Sequence, residues 1–454
     1  MYKKNHLLCA VLAAGFALLQ GCGGGEKDTS GKTKLVFYHF ESASPTKELY
    51  EEMVADFMKE NPDIYVQNMA FPAIGGDYNS KLLTMVAADT APDVFEVISF
   101  DIGEMVKRGV MLELDELIGK SEVIDLSDWY PEVIKAYRYD GEVYGRGSIY
   151  GLPKDWAGIM NMYYNKDLFD KAGIEYPDKS WSWDELLEAA KKLTVRNERG
   201  RAEYFGAYMV LDTIRMAALV FQNGGRMFSE DGRKCLMDSE EVIETYEFVI
   251  EEMTLKHKVS PNPNEQNQIG LELFMSGKVA MFFDGRYLAS NIINRTRKLA
   301  DPSKAIRFGL APALHRKKRA NIMSPCGFAL SRGSKHPEEA FRFLEFITGP
   351  EGATRNAKLG WGIPAIKSVA ESDAFLTNPD HPEGINKVCL DDVDYTVFYP
   401  VYKYMEYYRF TKLLKDELDL AVLGKKSVRE ALKKATAKIN REIARAVAEE
   451  EKDK

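Results

Sequence analysis

A chain of 454 residues with 45% hydrophobic and 29% charged side chains is too long for one ordinary core and too apolar to be disordered, so two lobes or domains are expected. Its 61 basic and 69 acidic residues leave a net charge of −8, which excludes the clustered positive charge of a nucleic-acid surface. The basic run Arg316, Lys317, Lys318, Arg319 is short and reads as a solvated loop.

At the N-terminus Lys3 and Lys4 precede an apolar run from Leu7 to Leu19, followed by Gln20, Gly21 and Cys22. Such a run is short for a permanent membrane span. A small residue directly before a cysteine at its end resembles a bacterial lipobox, although Gln20 departs from the small residue usual there. The resemblance implies a signal over residues 1–21, a lipid on Cys22 and a membrane anchor through that lipid; an ordinary secretory signal is the alternative. Residues 22–33, opening on Gly23, Gly24 and Gly25, read as a tether. The remaining Cys235, Cys326 and Cys389 are odd in number, show no CxxC spacing and are expected as buried thiols.

From Lys34 the chain alternates strands and helices. Leu35 to Phe40 reads as a strand, and a helix after Pro45 carries Leu49, Met53 and Phe57 at four-residue spacing before Pro62. Ile64 to Phe71 reads as a second strand, parallel to the first in a βαβ unit. A helix over Tyr78 to Ala88, a strand over Val94 to Ile98 and a helix after Asp101 continue the alternation, which means α/β layers. Asp140 and Gly141, between Tyr137, Tyr139 and Val143, Tyr144, predict a small hairpin. In the stretch from Gly151 to Gly173 we read a turn at Gly151 and Pro153, one strand through Ile159, Met160, Met162 and Tyr164, and a helix capped by Asn165 and ended by Gly173.

A helix opening at Trp183 buries Leu186, Leu187, Ala190 and Leu193; a strand near Tyr204 to Val210, a helix to Phe221 and a helix over 239–254 follow. Strands are expected at Val279 to Phe283, Arg307 to Leu310 and Gly327 to Leu330, with a turn at Asp284 and Gly285 and a helix from Tyr287. Pro337 opens a helix that Gly349 and Pro350 stop, and Gly360 to Pro364 is a break. An aromatic-rich run from Tyr395 to Phe410 precedes two final helices, and the charged tail after Ala448 is expected to fray.

Five segments, YYNKDLFDKAGI with WSWDELLEAAKKLT, FQNGGRMFSEDGR, SGKVAMFFDGRYLASN and GFALSRGSKHPEEAFRFLEFITGPEG, resemble in content and order the extracellular solute-binding proteins of ABC importers. The likeness is to the large sugar-binding family that includes the maltose-binding type. It implies an α/β, two-lobe periplasmic-binding-protein-like fold with a ligand cleft between lobes and several hinge crossings. It places the crossings near Gly151 to Pro153, Phe308 to Pro312 and Gly360 to Pro364. Lobe 1 is then residues 34–153 plus 311–362, and lobe 2 residues 154–310 plus 363–454. The implied partners are a small-molecule carbohydrate and the transmembrane subunits of an ABC permease. The implied protein is an extracytoplasmic, lipid-anchored monomer, with no cofactor and no enzymatic activity.

Ligands of open α/β sheets gather at strand ends. The first strand offers His39, Phe40, Glu41 and Ser42; the strand at Val94 offers Glu96, Ser99 and Asp101; the first crossing offers Lys154, Asp155 and Trp156. Asp212 and Thr213, then Asp284, Arg286 and Tyr287, follow the strands of the second half; Cys326 and Gly327 open a further strand, and Trp361 stands beside the third crossing. The resemblance implies an aromatic ligand contact two residues after the glycine matched by Gly285, hence Tyr287, and another from the region of Tyr407, Tyr408 and Phe410, of which Tyr407 is the candidate.

A sugar offers apolar faces for aromatic rings and hydroxyls for Asp, Glu, Asn and Arg, which is the set above. Arg286 raises the alternative of an acidic solute held bidentately, against a plain ion pair with Asp284. A lipid-anchored glycoside hydrolase using Asp155 and Asp284 is the competing class, but no nucleophile, metal or Walker motif supports catalysis. His39 and Glu41 lack metal-site spacing, so no metal is expected.

Overall fold

The computed structural model describes residues 31–40, 44–71, 76–262, 270–379, 381–398 and 403–452. Its strands, in chain order, begin with β1 (Thr33–Phe40), β2 (Ile64–Phe71), β3 (Val94–Ile98), β4 (Arg138–Tyr139), β5 (Ser148–Ile149), β6 (Leu152–Gly158) and β7 (Asn161–Asn165). They continue with β8 (Val195–Arg196), β9 (Ala202–Tyr208), β10 (Val279–Asp284), β11 (Phe308–Ala311), β12 (Asn321–Leu330), β13 (Ile363–Pro364) and β14 (Thr396–Phe398).

Hydrogen bonding sorts these strands into two sheets and one minor pair. The first sheet runs β13-β6-β12-β3-β1-β2, with β14 beside the opening residues of β12; the second runs β11-β7-β10-β9-β8. β1 and β2 are parallel across the helix Ser44–Glu60, as a βαβ crossover requires. That helix turns Met53 and Phe57 inward, where they meet Phe37, Phe328 and Phe343; the Phe37 ring lies 5.1 Å from Phe343 and 5.4 Å from Phe328. Each such ring withdrawn from water contributes roughly 2 kcal/mol. On the second sheet the alternate residues Met162 and Tyr164 of β7 and Met281 and Phe283 of β10 face a separate core, which the final helix joins through Val428, Leu432 and Ile439.

The stretch from Gly151 to Gly173 holds two strands where one is expected. Gly151 and Pro153 do not form a turn: Leu152–Gly158 is paired in the first sheet with β12, while Asn161–Asn165 is paired in the second. The first crossing is therefore Ile159 and Met160, a short connection whose apolar side chains look continuous with the strands on either side. Asn165 caps the helix Lys166–Ala172, accepting from the backbone N–H groups of Asp167 and Leu168, and Gly173 ends it at φ 65°. The return crossing lies between Ala311 and Asn321, close to the expected Phe308 to Pro312. The two crossings are tied together. Ile159 N donates to Ile322 O at 2.8 Å, Met160 N to Asn321 Oδ1 at 2.9 Å, and Asn321 Nδ2 to Asn161 Oδ1 at 3.1 Å.

The expected third crossing is not one. β13 pairs with Trp156 and Asp155 on the edge of the first sheet and β14 returns to that sheet, so the chain leaves it only after Phe398. The sequence expectation puts residues 154–158 and 363–398 in the second lobe; the strands there pair with the first sheet instead. Three smaller expectations also shift. Tyr139 bridges Tyr144 around the Asp140 turn, but the paired partner of β4 is β5. Pro350 ends one helix and at once begins another, Pro350–Leu359. The last helix holds to Lys452 rather than fraying at Ala448.

Candidate ligand-binding cleft

Between the two sheets lies a cleft of about 770 Å³, a size suited to a small-molecule ligand. Its first wall is built from the ends of β1, β3, β6 and β12, which bring Phe40, Glu96, Lys154, Asp155, Ser324 and Cys326 together. Its second wall comes from the start of the helix Thr213–Gln222 and the helix Tyr287–Thr296, with Asp212, Arg215 and Tyr287. Trp361 and Tyr407 add aromatic surface from the C-terminal part.

On the first wall Lys154 Nζ lies 3.4 Å from Glu96 Oε1 and 3.3 Å from Asp155 Oδ2. Glu96 is only 1% exposed and also accepts from Phe40 N at 3.2 Å and Cys326 Sγ at 3.4 Å. Burial pushes its carboxyl up to about 7, against the pull of Lys154. Burial would lower Lys154, but Asp155, Tyr50 and Glu96 outweigh it and hold the ammonium charged above the usual range. Burial, reinforced by Glu96, pushes the Cys326 thiol up as well, so it stays protonated.

The second wall repeats the arrangement, one cation between two acids. Asp212 caps its helix by accepting from Arg215 N at 2.8 Å, which turns the Arg215 side chain back over the cap. There the guanidinium pairs with both Asp212 and Asp284 and donates to Tyr287 Oη at 3.0 Å. Tyr287 in turn donates to Asp284 Oδ1 at 2.6 Å. Burial and then Asp284 push the Tyr287 phenol above its ordinary value, so it remains a donor. The walls also touch: the Phe100 and Tyr407 rings lie 5.6 Å apart at 31°.

Phe40, Glu96, Lys154, Asp155, Asp212, Tyr287, Cys326, Trp361 and Tyr407, all expected at the site, line this cleft. Glu41, Ser42 and Cys22 lie outside the described residues. The other candidates face elsewhere. His39 is buried behind its strand, 2.9 Å from Asn68 Oδ1, and burial pulls its imidazole down to about 4. Ser99 is buried, Asp101 accepts from Asn79 Nδ2 at 2.9 Å on the far side of Phe100, and Thr213 donates to Thr411. Trp156 sits in the core against Tyr130, since strand alternation turns it to the other face from Asp155. Asp284 is held by Arg215 and Tyr287 and does not line the cleft.

Two corrections change the chemistry. Arg286 is fully buried and points to His381 Nδ1, 2.9 Å away, and to Asn386, so it reaches neither a ligand nor Asp284. Gly327 is a packing residue: a Cβ there would stand 2.2 Å from Leu152 O, at the bulge where β12 presses on β6. Conversely, Arg215, Phe100, Thr46, Asn291, Asn356 and Ser324 line the cleft without having been singled out by the sequence. Arg215 had a legible signal, since a residue three positions after a capping aspartate folds back onto it. The two asparagines sit inside helices, where nothing in the local pattern marks the face that meets the cleft.

Residues 42–354 match the family described as bacterial extracellular solute-binding protein. The chain is 25% identical over 386 residues to an arabinooligosaccharide-binding protein of Halalkalibacterium halodurans, covering 80% of this chain and 79% of that one. It is 23% identical over 385 residues to a multiple sugar-binding protein of Streptococcus mutans, covering 82% and 84%. Among solved structures, an ABC substrate-binding protein of Listeria monocytogenes in complex with cycloalternan superposes with a TM-score of 0.76 at 27% identity, over 91% of this chain and 99% of that one.

Proposed function

The chain belongs to the bacterial extracellular solute-binding proteins, and from that premise we propose that it is the binding lipoprotein of an ABC importer. In this reading it captures a neutral carbohydrate between its lobes and delivers it to the permease, held outside the membrane by a lipid on Cys22. It acts as a monomer and as a binder, not as an enzyme. Closure of the lobes over the sugar is the transport-competent event, with Ile159, Met160 and the return segment after Ala311 as the pivots. The named relatives that bind sugars support the ligand class. Among the described residues no helix is long and apolar enough to cross a membrane.

The observation that carries the reading is the charge pairing of the cleft. Lys154 faces two carboxylates and Arg215 faces two more, so both cations are already spent on protein anions. A carboxylate-bearing solute would meet an excess of acids, whereas a neutral polyol can accept from the held N–H groups and donate to the free carboxylate lone pairs. Trp361 and Tyr407 then supply flat surface for the C–H faces of a sugar ring. With Arg286 buried elsewhere, the acidic-solute alternative loses the residue that suggested it.

The test is a thermal-shift and calorimetric screen of the mature protein against neutral, amino and acidic sugars. Neutral sugars should raise the melting temperature and bind one to one, leaving the sugar chemically unchanged. A uronic acid as the tightest ligand would overturn the pairing argument, and release of hydrolysis products from any glycan would replace binding with catalysis.

A further inference from the structure

Trp361 stands between two glycines, and each glycine is held by a different lobe. Gly360 ends the helix Pro350–Leu359 at φ 65°, and its carbonyl accepts at 2.7 Å from Ser290 Oγ, on the helix Tyr287–Thr296 of the second lobe. The same turn is gripped from the side. A Cβ on Gly360 would stand 2.0 Å from the His381 ring, and that ring accepts from Arg286 Nη2 at 2.9 Å, one helical turn before Ser290. Gly362 is held from the other direction. A Cβ there would stand 2.7 Å from Asp155 Cβ and 3.0 Å from Trp156 O, so this residue is pressed on β6 of the first sheet, and Ile363 pairs with Trp156 directly after it. A helix cap accounts for the φ of Gly360, but not for a bond from the opposite lobe.

The helix that carries Ser290 also carries part of the cleft wall. Tyr287 and Asn291 lie four residues apart and line the cleft, while the neighbouring stripe of Arg286 and Ser290 holds the Gly360 turn. Movement of the second lobe on the first must then be absorbed between Gly360 and Gly362, where the missing Cβ atoms leave φ and ψ free to turn. Trp361 is the one residue between them. Resting on the carbohydrate reading above, we propose that Ser290 is a positioning residue for ligand capture: it ties Trp361 to the second lobe, so that closure swings the indole about its two glycines and onto the sugar. The indole is half-buried and already lines the cleft. Ser290 is 4% exposed and does not line it, so its effect on binding passes through Trp361.

Fluorine NMR of the mature chain labelled with 5-fluorotryptophan tests the tie without a ligand. Five tryptophans give five signals, and Trp361→Phe identifies the one that matters. Ser290→Ala should shift or broaden the Trp361 signal and leave the others in place, which also reports that the variant is folded. Calorimetry then tests the coupling, with maltotriose, arabinotriose or another neutral sugar that binds. Ser290→Ala should weaken binding about fivefold, the size of one lost hydrogen bond, and less than about twofold in the Trp361→Ala background. A Trp361 signal unmoved by Ser290→Ala, an unchanged affinity, or an equal loss with and without Trp361 overturns the positioning role while leaving sugar binding intact. Failure of every neutral sugar to bind overturns the carbohydrate reading, and the ligand-free signal still decides the tie.

Discussion

Lys154 reaches Glu96 at 3.4 Å although their strands are not neighbours. β12 runs between β6 and β3, and its Cys326 fills the gap with a thiol 3.4 Å from the same Glu96 oxygen. A small side chain at 326 is what lets the ammonium pass over the intervening strand. The result is a buried acid whose ionisation is set by its surroundings rather than by water, at the floor of the site.

That acid makes stability depend on pH in a defined direction. With its carboxyl at about 7 in the fold and near 4.5 when unfolded, Glu96 holds its proton in the native state at pH values where the unfolded chain has lost it. Between those values the native state binds more protons, so stability falls as pH rises, by about 1 kcal/mol per unit, and the loss is complete above about 7. His39, whose folded value is about 4, works in the opposite sense, so raw melting curves mix the two. The difference between wild type and Glu96→Gln isolates the glutamate. It should slope against wild type from pH 5 to 7 and level off above, and a flat difference would mean that Glu96 is ionised throughout.

Arg215 is the single cation between Asp212, Asp284 and Tyr287 on the second wall. Replacing it with Met leaves the 35% exposed Asp212 and the more buried Asp284 without their shared cation. The expected cost is about 3 kcal/mol of stability, together with loss of detectable sugar binding. Adding Asp284→Asn to Arg215→Met should restore most of the stability but not the binding. A double variant as unstable as the single one would show that the arginine acts through packing instead of charge.

How much of this was legible in the sequence follows from which interactions are local. Asn165, Gly173, and the helical spacing of Val428, Leu432 and Ile439 act within a few residues, and each element they specify is present. The division of β6 from β7 was not legible, because Ile159 and Met160 are as apolar as the strands they separate and only sheet pairing shows the break. The same limit applies to the site. Position at a strand end places Glu96, Asp155 and Cys326 on the lining of the candidate cleft, but alternation sends Trp156 to the core, and close strand contact explains Gly327. The burial of Arg286 is not legible locally because its partners, His381 and Asn386, are about a hundred residues away.

Lys403 joins the two sides of the interlobe space, with Nζ 2.7 Å from Glu142 on the first side and 3.0 Å from Glu450 of the last helix. Glu142 is more than half exposed, so the bridge is screened and its worth is limited to about 1 kcal/mol. Lys403→Met should therefore weaken sugar affinity no more than about fivefold, with a smaller effect at high salt. Calorimetry at two ionic strengths checks this. A loss that persists unchanged in high salt would point to a packing role for the lysine stem.

The two tryptophans expected at crossings separate scaffold from site. Trp156 is 1% exposed and packs on Tyr130 within the core of the first sheet, so Trp156→Ala opens a cavity and should cost about 3 to 5 kcal/mol of stability. Trp361 is half-buried and lines the cleft, where its ring is available to a sugar face. Trp361→Ala should leave the ligand-free melting temperature within a few degrees of wild type and weaken sugar binding about tenfold or more. Measured side by side, thermal melting without ligand should single out Trp156 and calorimetry with a neutral sugar should single out Trp361. If Trp361→Ala lowers the melting temperature as much as Trp156→Ala and leaves affinity intact, the aromatic floor of the site lies elsewhere, and Tyr287 and Tyr407 become the rings to test.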